Sequence, residues 1–87
     1  MAQGRKRLDL MRANPTSGWT ISDIENVCGS FDIECNAPKG GGSHYKIAHR
    51  SQFEILTIPA RRPIKPVYIR QFVRFVEAVI GADDGDS

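Results

Sequence analysis

Histidine is scarce in this chain, and its 2 copies both fall in one short run, Gly40 to Arg50, reading Gly-Gly-Gly-Ser-His-Tyr-Lys-Ile-Ala-His-Arg. An imidazole has an ordinary pKa of about 6.5, so it can take or give a proton near neutrality. Consecutive glycines let the backbone turn sharply and approach a ligand, and their amides form an anion-binding nest where successive residues alternate in handedness. After them, Ser43, Tyr45 and Ile47 alternate with His44, Lys46 and Ala48, the pattern of a strand with two different faces. With Tyr45 and Ile47 turned inward, His44 and Lys46 share the outer face. A titratable ring beside a fixed cation, at the mouth of a glycine loop, is equipment for chemistry on a phosphodiester. His49 has the opposite strand parity and reads as a structural or rim residue.

The elements that must position this run can be taken in order. Arg5 to Ala13 suits a short helix ended by Asn14-Pro15. Trp19 follows as a packing anchor between the first two helices. Thr20 is an N-cap with Asp23 three residues on, Ile21, Ile24, Val27 and Cys28 make an apolar stripe, and Gly29 is the natural stop. Phe31, Ile33 and Cys35 alternate with Asp32, Glu34 and Asn36 as a half-buried strand with an acidic outer face. Ser43 to His49 is the second strand and, after the link Arg50 to Gln52, Phe53 to Ile58 is the third, ended by Pro59. Short links make the three an antiparallel meander.

Ala60 to Lys65 reads as a stiff, extended basic loop among prolines. Pro66 suits a first helical position, and Val67 to Ile80 is the clearest helix, with Ile69, Phe72, Val73, Val76, Val79 and Ile80 on one side and Arg70, Arg74 and Glu77 on the other. Gly81 caps it. The expected fold is α+β, a two-layer sandwich in the order α-α-β-β-β-α, with helices on one face of a three-stranded antiparallel sheet and the other face free. Residues 5–81 form a single domain between a flexible tail, 1–4, and a disordered acidic tail, 82–87.

An 87-residue chain is one domain, and one this small buries only about 60 to 65% of its unfolded surface. Its apolar streaks fall short of the roughly 20 residues of a membrane span. Arg5, Lys6 and Arg7 are followed by Leu8-Asp9-Leu10 rather than by the apolar run of an export signal, which points to the cytoplasm. Cys28 and Cys35 read as buried thiols; with His44 and His49 they lack the paired spacings of a zinc fold, and no cofactor is expected. The net charge of +2 hides an asymmetry: from Lys39 to Arg74 there are eight cations against Glu54 alone. A basic face on one domain suits a polyanion, although a merely solvated surface gives the same composition.

Gly42-Ser43-His44-Tyr45-Lys46-Ile47, then Leu56-Thr57-Ile58-Pro59, then Ile64-Lys65-Pro66-Val67-Tyr68-Ile69-Arg70-Gln71-Phe72, resemble in order the HicA toxins of bacterial type II toxin–antitoxin systems. The resemblance covers roughly Ile21 to Ile80. It implies a fold like the double-stranded RNA-binding domain, a ribosome-independent RNase that cuts mRNA, an essential histidine at His44, and a HicB-like antitoxin that covers it. Many relatives carry a histidine shortly after the proline that ends the third strand. Here Ala60, Arg61 and Arg62 follow Pro59, leaving either Arg61 as a phosphate clamp or a position with no catalytic role.

The expected mechanism is RNA cleavage without a metal, His44 acting as general base on a ribose 2′-OH or as general acid on the leaving 5′-oxygen. Lys46 is the other catalytic candidate, since a single histidine moves one proton at a time and Tyr45 faces inward. Lys39, Gly41, Gly42 and Ser43 would form one wall of the RNA site, and Arg61, Arg62 and Lys65 the other. Two other functions fit the same residues: a non-catalytic RNA-binding module, held by charge and shape, and a protein-interaction domain that docks another chain on its free sheet face.

Overall fold

The computed structural model describes residues 2–84. Its elements are α1 (Ala2–Ala13), α2 (Ile21–Ser30), β1 (Glu34–Asn36), a 3₁₀ turn at Lys39–Gly41, β2 (His44–Ala48), β3 (Leu56–Pro59) and α3 (Pro66–Asp84). The strands form one antiparallel sheet with β2 central, so the order α-α-β-β-β-α and the α+β class are as expected.

Register sorts the sheet into two faces. Cys35 lies opposite Ile47 and Ile47 opposite Leu56, and these side chains pack with Ile58 in or against the core; Tyr45, opposite Ile58, shares their parity and is half-buried. Ile47 and Ile58 are fully buried in one cluster with Ile24, Val27, Ile69 and Phe72. The other parity is open: Lys46 sits between Asn36 and Thr57, and His44 faces Pro59. Pro59 is tolerated because β3 is an edge strand, where a missing N–H breaks no ladder. On α3 the apolar stripe is buried as its spacing requires, while Arg70, Arg74 and Glu77 are exposed. Among the described residues no helix is long and apolar enough to cross a membrane.

Several boundaries differ from expectation, each for a local reason. α1 begins at Ala2, so residues 2–4 are helical rather than a tail; Gly4 lies so close to the end of α2 that an added Cβ would meet Ser30 Cβ at 2.1 Å. Leu8 and Met11 of α1 are buried against α2 and α3, and Arg7 forms an ion pair with Asp23. α2 runs through Gly29 to Ser30, because Asp32 takes the left-handed conformation, φ 59°. The N–H groups of Phe31 and Ile33 both donate to the Cys28 carbonyl, at 3.2 and 2.9 Å, a Schellman closure that commits Ile33 and confines β1 to Glu34–Asn36.

The third strand is also shorter than the alternation suggested. His49 C=O accepts from Gln52 N–H at 2.9 Å, and the His49 ring accepts from Ser51 N–H at 3.1 Å. The chain turns directly after Ala48, Phe53 to Ile55 have no strand opposite, and Phe53 and Ile55 are exposed. The loop before α3 bends at Arg62 and Pro63 instead of running extended. α3 continues through Gly81 to Asp84, so 82–84 are helical rather than disordered; Met1 and residues 85–87, also read as tails, lie outside the described residues.

Candidate functional site

His44 opens β2 on the exposed face, next to the point where β3 ends. The ladder continues one step past their last pair, His44 opposite Pro59, because Ala60 N–H donates to Ser43 C=O at 2.7 Å. This bond brings the chain out of β3 beside the imidazole. Arg61 then enters a cleft of about 470 Å³ lined by Ser43, His44, Pro59, Arg61, Lys65 and Tyr68. The first turn of α3 supplies its far side, since Lys65 caps that helix by accepting the N–H groups of Tyr68 and Ile69 at 2.9 and 3.2 Å.

The structure therefore brings together four residues singled out from the sequence: Ser43, His44, Arg61 and Lys65. Lys46 is on the same face as His44 but two residues along the strand, a rise of roughly 6 to 7 Å, and it lies outside the cleft. Lys39 and Gly42 do not line it either. In the glycine run Gly40 is left-handed, φ 74°, inside the 3₁₀ turn, whereas Gly42 is extended. The cradle expected from three glycines narrows to a single turn that delivers Ser43 and His44 to the cleft.

Tyr68 is the residue that sequence reasoning missed. It is half-buried, packed against the core beside the buried Ile69 and at the same time lining the cleft, and nothing in its spacing along the chain announces the second contact. Tyr45 shares the strand parity of the buried Ile47, is half-buried and does not line the cleft. His49 is held by the turn, its Nδ1 2.8 Å from Ser51 Oγ, and takes no part in the cleft.

The electrostatics follow from which cations are already partnered. Among the described residues the ion pairs are Arg7 with Asp23, and Arg12 with both Asp9 and Glu77. All involve α1; none involves Lys46, Arg61, Arg62 or Lys65. An exposed cluster of like charge without acids is unfavourable to itself and attractive to an anion. Among the described residues no group of three or more His, Cys, Asp or Glu side chains could hold a metal ion.

The cysteines form a pair rather than two independent buried thiols. Cys28 is buried and Cys35 half-buried, and both are free. Each thiol acts on the other: Cys35, joined by burial, pushes the Cys28 thiol up, while Cys28 holds Cys35 below the ordinary thiol range against the opposing effect of its own burial.

A larger groove, about 980 Å³, lies between the β2–β3 connection and α3, lined in part by Phe53, Ile55, Arg74 and Phe75. It contains no histidine, so the smaller His44 cleft is the better candidate for proton-transfer chemistry. No protein-family model, curated protein or solved structure matches this chain.

Proposed function

We propose that the chain is an endoribonuclease that cleaves mRNA at the His44 cleft without a metal, and that it is the toxin of a toxin–antitoxin pair. The observation that carries the reading is the meeting of an exposed imidazole, two cations without ion-pair partners and a phenol in one cleft big enough for a nucleotide phosphate and its sugar. The HicA-like order of motifs adds the substrate and the biological setting.

In this mechanism a phosphodiester lies against Arg61 and Lys65, which stabilise charge on the phosphoryl oxygens as it grows. His44 takes the proton of the ribose 2′-OH while the 2′-oxygen forms its bond to phosphorus. The bond from phosphorus to the 5′-oxygen breaks, and the leaving oxygen takes a proton from Tyr68 or from water. The products are a 2′,3′-cyclic phosphate and a free 5′-OH. Lys46, outside the cleft, acts on the approaching strand rather than on the reacting atoms. An mRNA substrate places the protein in the cytoplasm, and an antitoxin of the HicB type silences it by covering His44 on the open face.

The competing reading is a non-catalytic RNA-binding module. One observation favours it: among the described residues the imidazole held by a hydrogen-bonding side chain is that of His49, and His44 has no such orienting partner. Labelled single-stranded RNA incubated with the protein in chelator separates the two. The enzyme shortens the RNA and leaves cyclic phosphate ends, whereas a binding module retards it at full length.

A further inference from the structure

The His44 cleft has a neighbour. A second cleft of about 390 Å³ lies between the α1–α2 turn and the basic bend, lined by Thr16 and Gly18 on one side and by Arg61, Arg62 and Lys65 on the other. Arg61 and Lys65 line both clefts, so the two are adjacent and share a cationic wall. The walls of the second are tied to each other: Ile64 N–H donates to Trp19 C=O at 2.9 Å, and the Trp19 ring donates from Nε1 to Asn14 C=O at 2.8 Å, fixing the turn. Ile64 is buried beneath, and Gly18, left-handed at φ 75°, has nothing within 4 Å of where a Cβ would be, so the rim is open.

We infer that this second cleft is a subsite for the phosphate next to the one being cleaved, gripped by Arg62 and walled by the α1–α2 turn. The inference rests on the RNA reading of the His44 cleft and deepens it. Its ligand is a single strand of RNA running across the shared wall, because Arg61 and Lys65 then face two successive phosphates and Arg62 faces the outer one. Neither Arg61, Arg62 nor Lys65 is held by an ion pair among the described residues, so all three are available to the backbone. The arrangement also gives α1 a role beyond the core it completes: the turn it leads into supplies the wall that a chain starting at α2 would lack.

The test uses the full chain carrying His44→Ala, so that bound RNA stays intact, with a labelled single-stranded octanucleotide and an unlabelled dinucleotide as its competitor. Adding Arg62→Ala is expected to weaken the octanucleotide about tenfold, the loss of one hydrogen-bonded charge contact, and to make its salt dependence shallower by about 0.7. The advantage of the octanucleotide over the dinucleotide shrinks accordingly. Thr16→Glu, which puts a carboxylate on the opposite wall, shifts that advantage in the same direction and serves if Arg62→Ala does not fold. Equal loss for both RNAs, or no loss with either variant, overturns the subsite. The catalytic reading fails differently: RNA cut as fast by His44→Ala as by the wild type removes His44 from the chemistry while the length-dependent effect of Arg62 still stands.

Discussion

The Ala60 N–H donates to the Ser43 carbonyl at 2.7 Å, one step past the pair of His44 and Pro59. That bond joins the glycine-rich approach to β2 with the basic exit from β3. Through it an imidazole and a guanidinium that are far apart in the chain meet in one cleft.

If the cleft is where the phosphodiester reacts, the residues that line it should matter more to the chemical step than those outside. Tyr68→Phe, which removes one oxygen, is expected to lower kcat by roughly a hundredfold, the low end of a general acid's contribution. Lys46→Ala should act mainly on KM and on salt dependence. Single-turnover cleavage by the two variants checks the order; a larger fall in kcat for Lys46→Ala would return the second proton-transfer role to that lysine.

The thiol pair makes a prediction about reactivity. Cys35 is the more exposed of the two and is held toward the thiolate by the neighbouring Cys28, so limited iodoacetamide treatment of the native protein near neutrality should label Cys35 first and leave Cys28 unmodified. Cys28→Ala removes that neighbour and should slow labelling of Cys35, read by peptide mass spectrometry. Faster labelling of Cys35 in that variant would mean that burial, not the neighbouring thiol, governs its reactivity.

Asp23 ties α1 to the start of α2. Partial burial works against its charge, but Thr20 N–H at 2.9 Å, the Thr20 hydroxyl at 3.1 Å and the Arg7 guanidinium together outweigh it and hold the carboxyl below its usual range. A folded-state pKa lowered in this way gives stability that is complete above the unfolded value of about 3.9 and lost as pH falls through the folded value. Asp23→Asn should therefore cost about 1 kcal/mol at neutral pH, with the difference from wild type shrinking below about pH 4. Urea unfolding at several pH values measures it; a gap that widens in acid contradicts the assignment.

Gly4 gives a test of the packing between α1 and α2. In an exposed helix Gly→Ala would stabilise by about 1 kcal/mol, but here the new Cβ would fall 2.1 Å from Ser30 Cβ. The expected result is a loss of about 1 to 3 kcal/mol from overpacking, with Ser30→Gly restoring part of it in the double variant. Stabilisation by Gly4→Ala alone would mean that the two helices do not approach this closely.

What could be read from the chain, and what could not, divides by the range of the interaction. The buried stripe of α3 was legible because Ile69, Phe72, Val73, Val76 and Val79 repeat with the helical period, whereas strand parity set His49 apart from His44 for a reason the structure does not keep, since β2 ends at Ala48 and His49 belongs to the turn. Gly29 and Gly81 misled because a glycine stops a helix only where a left-handed residue is required, and after α2 Asp32 took that place. Phe53 to Ile55 alternate like a strand whether or not a neighbour lies opposite, and the His49 turn leaves them none. Tyr68 and Thr16 were beyond reach of pattern, since their clefts exist only once the bonds from Ala60 to Ser43 and from Ile64 to Trp19 have closed.

The central claim is that His44 does the chemistry, and its most direct measurement is transcript integrity after induction of the wild type and of His44→Ala. Purified preparations of both, assayed on the same RNA in chelator, complete the comparison. The account predicts rapid loss of full-length mRNA and arrested growth with the wild type, and intact transcripts and normal growth with the variant at equal protein level. Equal mRNA decay with His44→Ala, or an intact RNA that the wild type only retards, would contradict it.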